Sequence, residues 1–183
     1  AILWSQKLFV HTMQIKTKMI NIADIVIEDK RWSDFGIQDL ADRTFSIVFD
    51  VLNLSKKWEI SILACNDAKI IELNSTFRDK AIATNVLSWP AHNLKSDFIG
   101  KTPNKPILSD IEENLLGDIA ISFDTCEREA VESNLHFKDH TTHLLVHGCL
   151  HLLNYDHIND LDALIMEKLE TQLLKVMGIA DPY

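Results

Sequence analysis

Cysteine, long apolar runs and positive charge are all in short supply in this 183-residue chain. Its three cysteines, Cys65, Cys126 and Cys149, are an odd number with no Cys-x-x-Cys pair. That pattern fits reduced thiols in the cytoplasm better than a disulfide framework. Nowhere do apolar residues run on long enough to cross a bilayer, so no membrane is expected as a partner. The apolar residues of 1–18 are interrupted by Gln6 and Lys7 and no small-residue cleavage site follows, so the segment does not read as a convincing secretory signal. Residues 1–18 read as an N-terminal extension of unclear status, either lineage-specific or an overcalled start, with a single domain over residues 19–183. There is no internal repeat and no low-complexity tract. Basic side chains number 18 against 27 acidic ones, a net charge of −9 that would repel a nucleic acid if it were spread evenly. It is not spread evenly: residues 54–105 hold 8 basic and 5 acidic side chains, residues 106–183 hold 4 and 15. A local basic face can bind phosphates on an acidic protein, weakly and with strong salt dependence.

What the chain does have is histidine in one place. His147 and His151 stand four apart in His147-Gly148-Cys149-Leu150-His151-Leu152-Leu153-Asn154-Tyr155-Asp156-His157. On a helix such residues lie one above the other, so two imidazoles can aim at one point. His157 can supply a third if the helix ends after Leu153 and the chain reverses at Asn154, a residue that readily takes the left-handed conformation. Three neutral imidazoles in a tetrahedral field leave one position for water, the arrangement of a catalytic zinc site. The competing reading is a ladder of helix-surface histidines, because His136, His140 and His143 continue upstream. His136 and His140 read as solvated or packed. His143, one turn before His147, either supports a ligand from behind or contacts substrate. Cys149 is two residues from each helical histidine and so points away from them, into the core.

The same separations occur in the metzincin proteases, whose pattern is H-E-x-x-H-x-x-G-x-x-H. Gly148 occupies the position of their Glu, the general base, and Gly has no group to replace it. A metzincin-like peptidase mechanism is therefore disfavoured.

Two further stretches narrow the reading. One is Leu73-Asn74-Ser75-Thr76-Phe77-Arg78-Asp79-Lys80, followed by Thr84-Asn85-Val86-Leu87-Ser88-Trp89-Pro90; the other is Leu116-Gly117-Asp118-Ile119. With the histidine run they resemble the YbeY family of bacterial endoribonucleases, whose patterns are L-N-x-x-Y-R-x-K-D-x-P-T-N-V-L-S-F-P, L-G-D-I and H-G-x-L-H-L-x-G-Y-D-H, in that order. The chain also ends in Asp181-Pro182-Tyr183, like many members. Departures are few. Phe77 and Trp89 keep an aromatic in place, Ala81 and Ala83 replace an Asp and a Pro, and Asn154 replaces a Gly while retaining the left-handed option.

The resemblance implies a single-strand-specific, metal-dependent endoribonuclease of ribosomal RNA processing, small-subunit maturation and ribosome quality control. RNA would be its substrate, and the ribosome or its assembly factors would be its partners. It implies zinc on His147, His151 and His157, and Arg78 as the functional arginine. A planar guanidinium can grip phosphate through two parallel hydrogen bonds, which suits Arg78 to that role beside His147. Lys80 matches the family and is otherwise an ordinary surface lysine. Thr84, Asn85 and Ser88 either bond the substrate backbone or satisfy a sheet edge. Asp118 either orients a ligand histidine or caps a turn, Asp156 either reaches a ring nitrogen or faces water, and Tyr155 packs. Water and the substrate's own 2′-hydroxyl both remain open as nucleophile. Two other classes compete: a non-enzymatic ribosome-assembly factor stapled by its metal, and a zinc hydrolase of an amide or ester.

Periodicity predicts an α+β domain, a mixed four-stranded sheet flanked by helices with a zincin-like metal helix. Strands are expected at Ile20 to Ile27, Trp58 to Ala64, Val86 to Trp89 and Ile119 to Phe123. Helices are expected from a Ser33 cap to Leu54, after an Asn66 cap, and over Asp124 to Ser133, His136 to Leu153 and Asp160 to Met177, the last stopped by Gly178. The metal helix should lie on one face of the sheet with Arg78 across a cleft.

Overall fold

Residues 21–109 and 113–183 are described by a computed structural model. Residues 1–18 and the expected start of the first strand at Ile20 lie outside the described residues. Four strands, β1 (Ala23–Ile27), β2 (Glu59–Cys65), β3 (Val86–Pro90) and β4 (Leu115–Ser122), form one sheet in the order β1-β2-β4-β3. β1, β2 and β4 run parallel, and β3 pairs antiparallel with β4 at the edge. The helices are α1 (Lys30–Phe35), α2 (Ile37–Leu52), α3 (Asp67–Arg78), α4 (Phe123–Glu132), α5 (Phe137–Leu152) and α6 (Asp160–Val176). This is the expected mixed α+β architecture.

One expected helix is two. Asp29, not Ser33, caps the first turn by accepting from Arg31 N, and Gly36 at φ 83 ends α1 and starts α2. Ser33 lies inside α1, where its hydroxyl does no capping. The other helix signals hold: Asn66 caps α3 through Lys69 N, and Gly178 follows α6 at φ 75. β4 begins at Leu115, earlier than its alternating run, because Leu115 and Gly117 pair with Glu59 and Ile60 across a register shift.

Strand alternation sends side chains to two different layers. Ile60, Ile62, Ala64, Ile119 and Ile121 join the main core with Phe45, Val48 and Phe49 of α2 and Leu145, Val146, Cys149 and Leu150 of α5. The other face holds a smaller cluster, Cys65, Ile70, Leu87 and Ala120, under α3. Phe77 and Trp89 meet edge to face there at 5.7 Å, so both aromatic substitutions are used in packing.

The Leu116-Gly117-Asp118-Ile119 motif is a packing device. Gly117 sits at φ 145, and a Cβ there would fall 2.2 Å from the Trp89 carbonyl oxygen and 2.9 Å from Leu152 Cδ2. Only glycine lets β3 and the end of α5 approach β4 this closely. Gly148 does the same on the helix side, since a Cβ would meet Ile119 Cδ1 at 3.0 Å and Ser88 Oγ at 3.3 Å. α5 is thereby set down on β3 and β4 with its histidines at the sheet's edge.

Candidate metal centre

α5 ends at Leu152, and Asn154 takes φ 64, the left-handed reversal. The turn is closed by Asn154 N donating to His151 O at 2.9 Å and Tyr155 N donating to Leu150 O at 3.0 Å. It brings the ring of His157 within 5.3 Å of that of His147 and 5.1 Å of that of His151, centroid to centroid. One nitrogen from each of the three lies within 4.8 Å of the others. Asn154 does more than a glycine could: its Oδ1 accepts from Leu94 N at 3.0 Å and its Nδ2 donates to His92 O at 3.0 Å. The loop after β3 is thus tied to the end of the histidine helix.

The second nitrogen of each helical ring fixes its tautomer. Nδ1 of His151 lies 3.1 Å from the carbonyl oxygen of Tyr155, which can only accept, so that nitrogen carries the proton. Nδ1 of His147 lies 2.7 Å from Oε1 of Glu170. Glu170 is wholly buried, yet its carboxyl is held down at about 2: burial pushes it up, and His143, His147 and the Tyr183 hydroxyl more than offset this. An ionised carboxylate accepts, so Nδ1 of His147 donates. With Nδ1 engaged on each ring, the Nε2 atoms are the ones left for a shared partner, and they face each other at 3.0 Å. Tetrahedral donors about 2.0 to 2.1 Å from one ion stand roughly 3.3 Å apart, so the pair fits a shared cation with little adjustment. Burial first, then the neighbouring His147 and His157, lowers the pKa of His151 to about 4, so that ring is neutral near pH 7, the form in which an imidazole can take a metal.

A second set, His143, His147 and Glu170, also lies within 4.8 Å. Both oxygens of Glu170 are occupied, one by His147 and the other by the Tyr183 hydroxyl, an arrangement that can orient the His147 ring. Nε2 of His143 stands 3.9 Å from Glu170 Oε2, outside hydrogen-bond range. His143 faces Glu170 and Tyr183 and does not line the cleft described next. Cys149 is fully buried with its thiol pushed up to about 12 by burial, an inert core residue.

The histidines open on a cleft of about 690 Å³. Arg78, Lys80, Thr84, Asn85 and Ser88 line it, together with Lys95 and Asp156. Arg78 is the last residue of α3, on the far side of the sheet, and reaches the cleft at edge strand β3, where its Nη2 lies 3.5 Å from Ser88 O. The chain after it is held by Asn74, which is buried: its Nδ2 donates to Ile82 O at 2.9 Å and its backbone oxygen accepts from Lys80 N at 3.2 Å. That clamp restrains the loop where Ala81 and Ala83 stand.

Other expected site residues have local jobs. Asn85 precedes β3, bonding Glu129 at 2.9 Å, and Glu129 also meets His140 Nε2 at 2.9 Å. His136 is exposed at the start of α5. Asp118 faces away from α5, on the side of the sheet lined by Asp24, Ser61 and Phe77. Asp156 accepts from His157 N at 2.8 Å. Tyr155 packs on the core and contributes its carbonyl oxygen to His151. Sequence reasoning missed Glu170, although an acidic residue on the buried stripe Met166, Glu170, Leu173, Leu174 of α6 was a signal.

An α+β sheet with a three-histidine candidate metal centre at its edge and cationic side chains across the cleft describes a class of protein, a candidate metallohydrolase. The comparisons narrow it. Residues 24–178 match the family model described as Endoribonuclease YbeY, and the chain belongs to that family. A relative from Ruegeria pomeroyi named Endoribonuclease YbeY is 50% identical over 161 residues, covering 87% of this chain and 96% of that one. One of the same name from Ruegeria sp. is 48% identical over 163 residues, covering 88% and 96%. A solution structure of a Thermotoga maritima protein aligns at 18% identity with a TM-score of 0.49, covering 87% of this chain and 97% of that one. Among the described residues no helix is long and apolar enough to cross a membrane.

Proposed function

We propose that this chain is a zinc-dependent endoribonuclease that cleaves single-stranded ribosomal RNA precursors in the cytoplasm, in small-subunit maturation and quality control, beside the ribosome or its assembly factors. Residues 19–183 form its one domain and residues 1–18 an extension. One observation carries the reading: the Nε2 atoms of His147 and His151 meet at 3.0 Å on a cleft that Arg78 and Lys80 also line. The relatives' name, Endoribonuclease YbeY, favours it over an assembly factor without activity and over an amide or ester hydrolase.

His147, His151 and His157 are the ligands, and nitrogen donors without thiolate or carboxylate suit zinc. Their spacing is zincin-like. The ion supplies Lewis-acid polarisation of a phosphate oxygen and acidification of water. Arg78 grips the scissile phosphate and offsets the negative charge that grows on its oxygens during attack. Lys80 adds positive charge on the substrate's path, and the Ser88 side chain on β3, beside Gly148, is placed to bond the RNA backbone. His143 acts from behind the ligands, not on substrate. A concave site admits a flexible strand more readily than a stiff duplex, which accounts for the single-strand preference.

The test is cleavage of a single-stranded ribosomal RNA fragment by purified protein before and after chelation, with the ends of the products analysed. Chelator-sensitive cleavage is expected, and readdition of zinc restores it. A 2′,3′-cyclic end would assign attack to the 2′-hydroxyl, a 5′-phosphate end to water.

A further inference from the structure

The segment after α6 folds back along the helix. Oδ1 of Asp181 accepts from the Thr171 hydroxyl and from Tyr183 N, both at 3.1 Å, so a short turn is anchored to α6 one residue beyond Glu170. The turn delivers the Tyr183 hydroxyl to Oε2 of Glu170, while Oε1 takes the proton-bearing Nδ1 of His147. The Tyr183 ring also meets the His143 ring edge on, 6.2 Å between centroids at 82°. A carboxylate with no exposed surface needs a partner for each oxygen. His143, at 3.9 Å, cannot supply the second one. Tyr183 does.

We propose that Tyr183 is a positioning residue of the metal centre, its hydroxyl fixing the Glu170 carboxylate so that His147 is held in the Nδ1–H form with Nε2 free for the metal. Without that hydroxyl Oε2 is buried and unpaired. The carboxylate is then free to turn towards His143, which removes the fixed acceptor that selects the His147 tautomer. The elements involved are far apart in the sequence, which makes the end of the fold a part of the site at the end of α5. This role rests on the reading of His147 as a ligand.

The test compares wild type with Tyr183→Phe, which keeps the ring on His143 and loses only the hydroxyl, and with Asp181→Ala, which releases the turn. In metal-free protein, long-range ¹H–¹⁵N spectra of the imidazoles should show His147 as a single Nδ1–H tautomer in wild type and as a mixture in both variants. Zinc affinity, measured by competition with a chromophoric chelator on fully folded protein, should fall about tenfold in both. A residue that merely stabilises the fold would lower the melting temperature and leave the tautomer and the affinity alone. A Tyr183→Phe protein with one Nδ1–H form and zinc affinity within twofold of wild type overturns the proposal. If wild type itself takes up no zinc, the metal reading falls and this role with it, an outcome distinct from a zinc-binding wild type that its Tyr183→Phe variant matches.

Discussion

Oε1 of Glu170 lies 2.7 Å from Nδ1 of His147, although 23 residues separate the two in the chain. That contact couples α6 to the first of the proposed ligands and makes the carboxylate part of the metal centre without ligating it. Glu170→Gln keeps the shape and loses the charge, and its amide can turn either an oxygen or an N–H towards the ring. Zinc affinity by chelator competition is expected to fall about tenfold to a hundredfold, with the far-ultraviolet circular dichroism spectrum unchanged. Unchanged affinity would remove Glu170 from the site.

Arg78 is exposed at the end of α3, and among the described residues its side chain makes one hydrogen bond, at the limit of range, so it is little used by the fold there. Arg78→Glu should abolish RNA cleavage and leave zinc content and melting temperature as in wild type, because it puts repulsion where the phosphate must sit. Arg78→Lys keeps the charge and loses the planar fork. A charge-assisted hydrogen bond is worth about 1.5 to 3 kcal/mol, so its rate should drop roughly ten- to a hundredfold. Wild-type rates from a zinc-loaded Arg78→Glu protein would remove Arg78 from the mechanism.

His151 gives a pH dependence whose sign follows from burial. Its pKa is lowered from 6.5 to about 4 in the folded protein. Between those values the unfolded chain binds a proton that the folded one refuses. This contribution to stability is therefore full above 6.5 and is lost as pH falls towards 4. Urea unfolding of metal-free wild type and His151→Asn across this range should show the wild type losing stability faster. Parallel curves would contradict the assignment.

Gly117→Ala should be among the most damaging single-methyl changes in the domain. The new Cβ meets a backbone oxygen at 2.2 Å at a positive φ, and neither strand can move without losing ladder hydrogen bonds. A loss of more than about 3 kcal/mol is expected by denaturant unfolding. A loss below about 1 kcal/mol would mean that the sheet edge is far softer than its packing implies.

How much of this was legible beforehand depended on distance along the chain. The histidine spacing, the reversal at Asn154, the Asn66 cap and the alternation in β4 are local patterns, and each appears where the sequence places it. Gly36 was overlooked because the apolar stripe continues through it, while the left-handed backbone that divides α1 from α2 leaves no mark on periodicity. Asp118 and Asn85 read as candidates by neighbourhood in sequence, but strand alternation turns Asp118 to the α3 face and Asn85 is spent on Glu129. Glu170, Tyr183 and the loop clamp of Asn74 depend on tertiary contacts that no window of sequence contains.

The most direct measurement is single-turnover cleavage of a single-stranded ribosomal RNA fragment by zinc-loaded wild type, by the same protein stripped with chelator, and by His147→Ala. Cleavage by the first, its loss in the other two, and its return when zinc is added back to stripped wild type but not to His147→Ala are the expected results. Equal cleavage by all three would place the activity elsewhere and contradict the three-histidine centre.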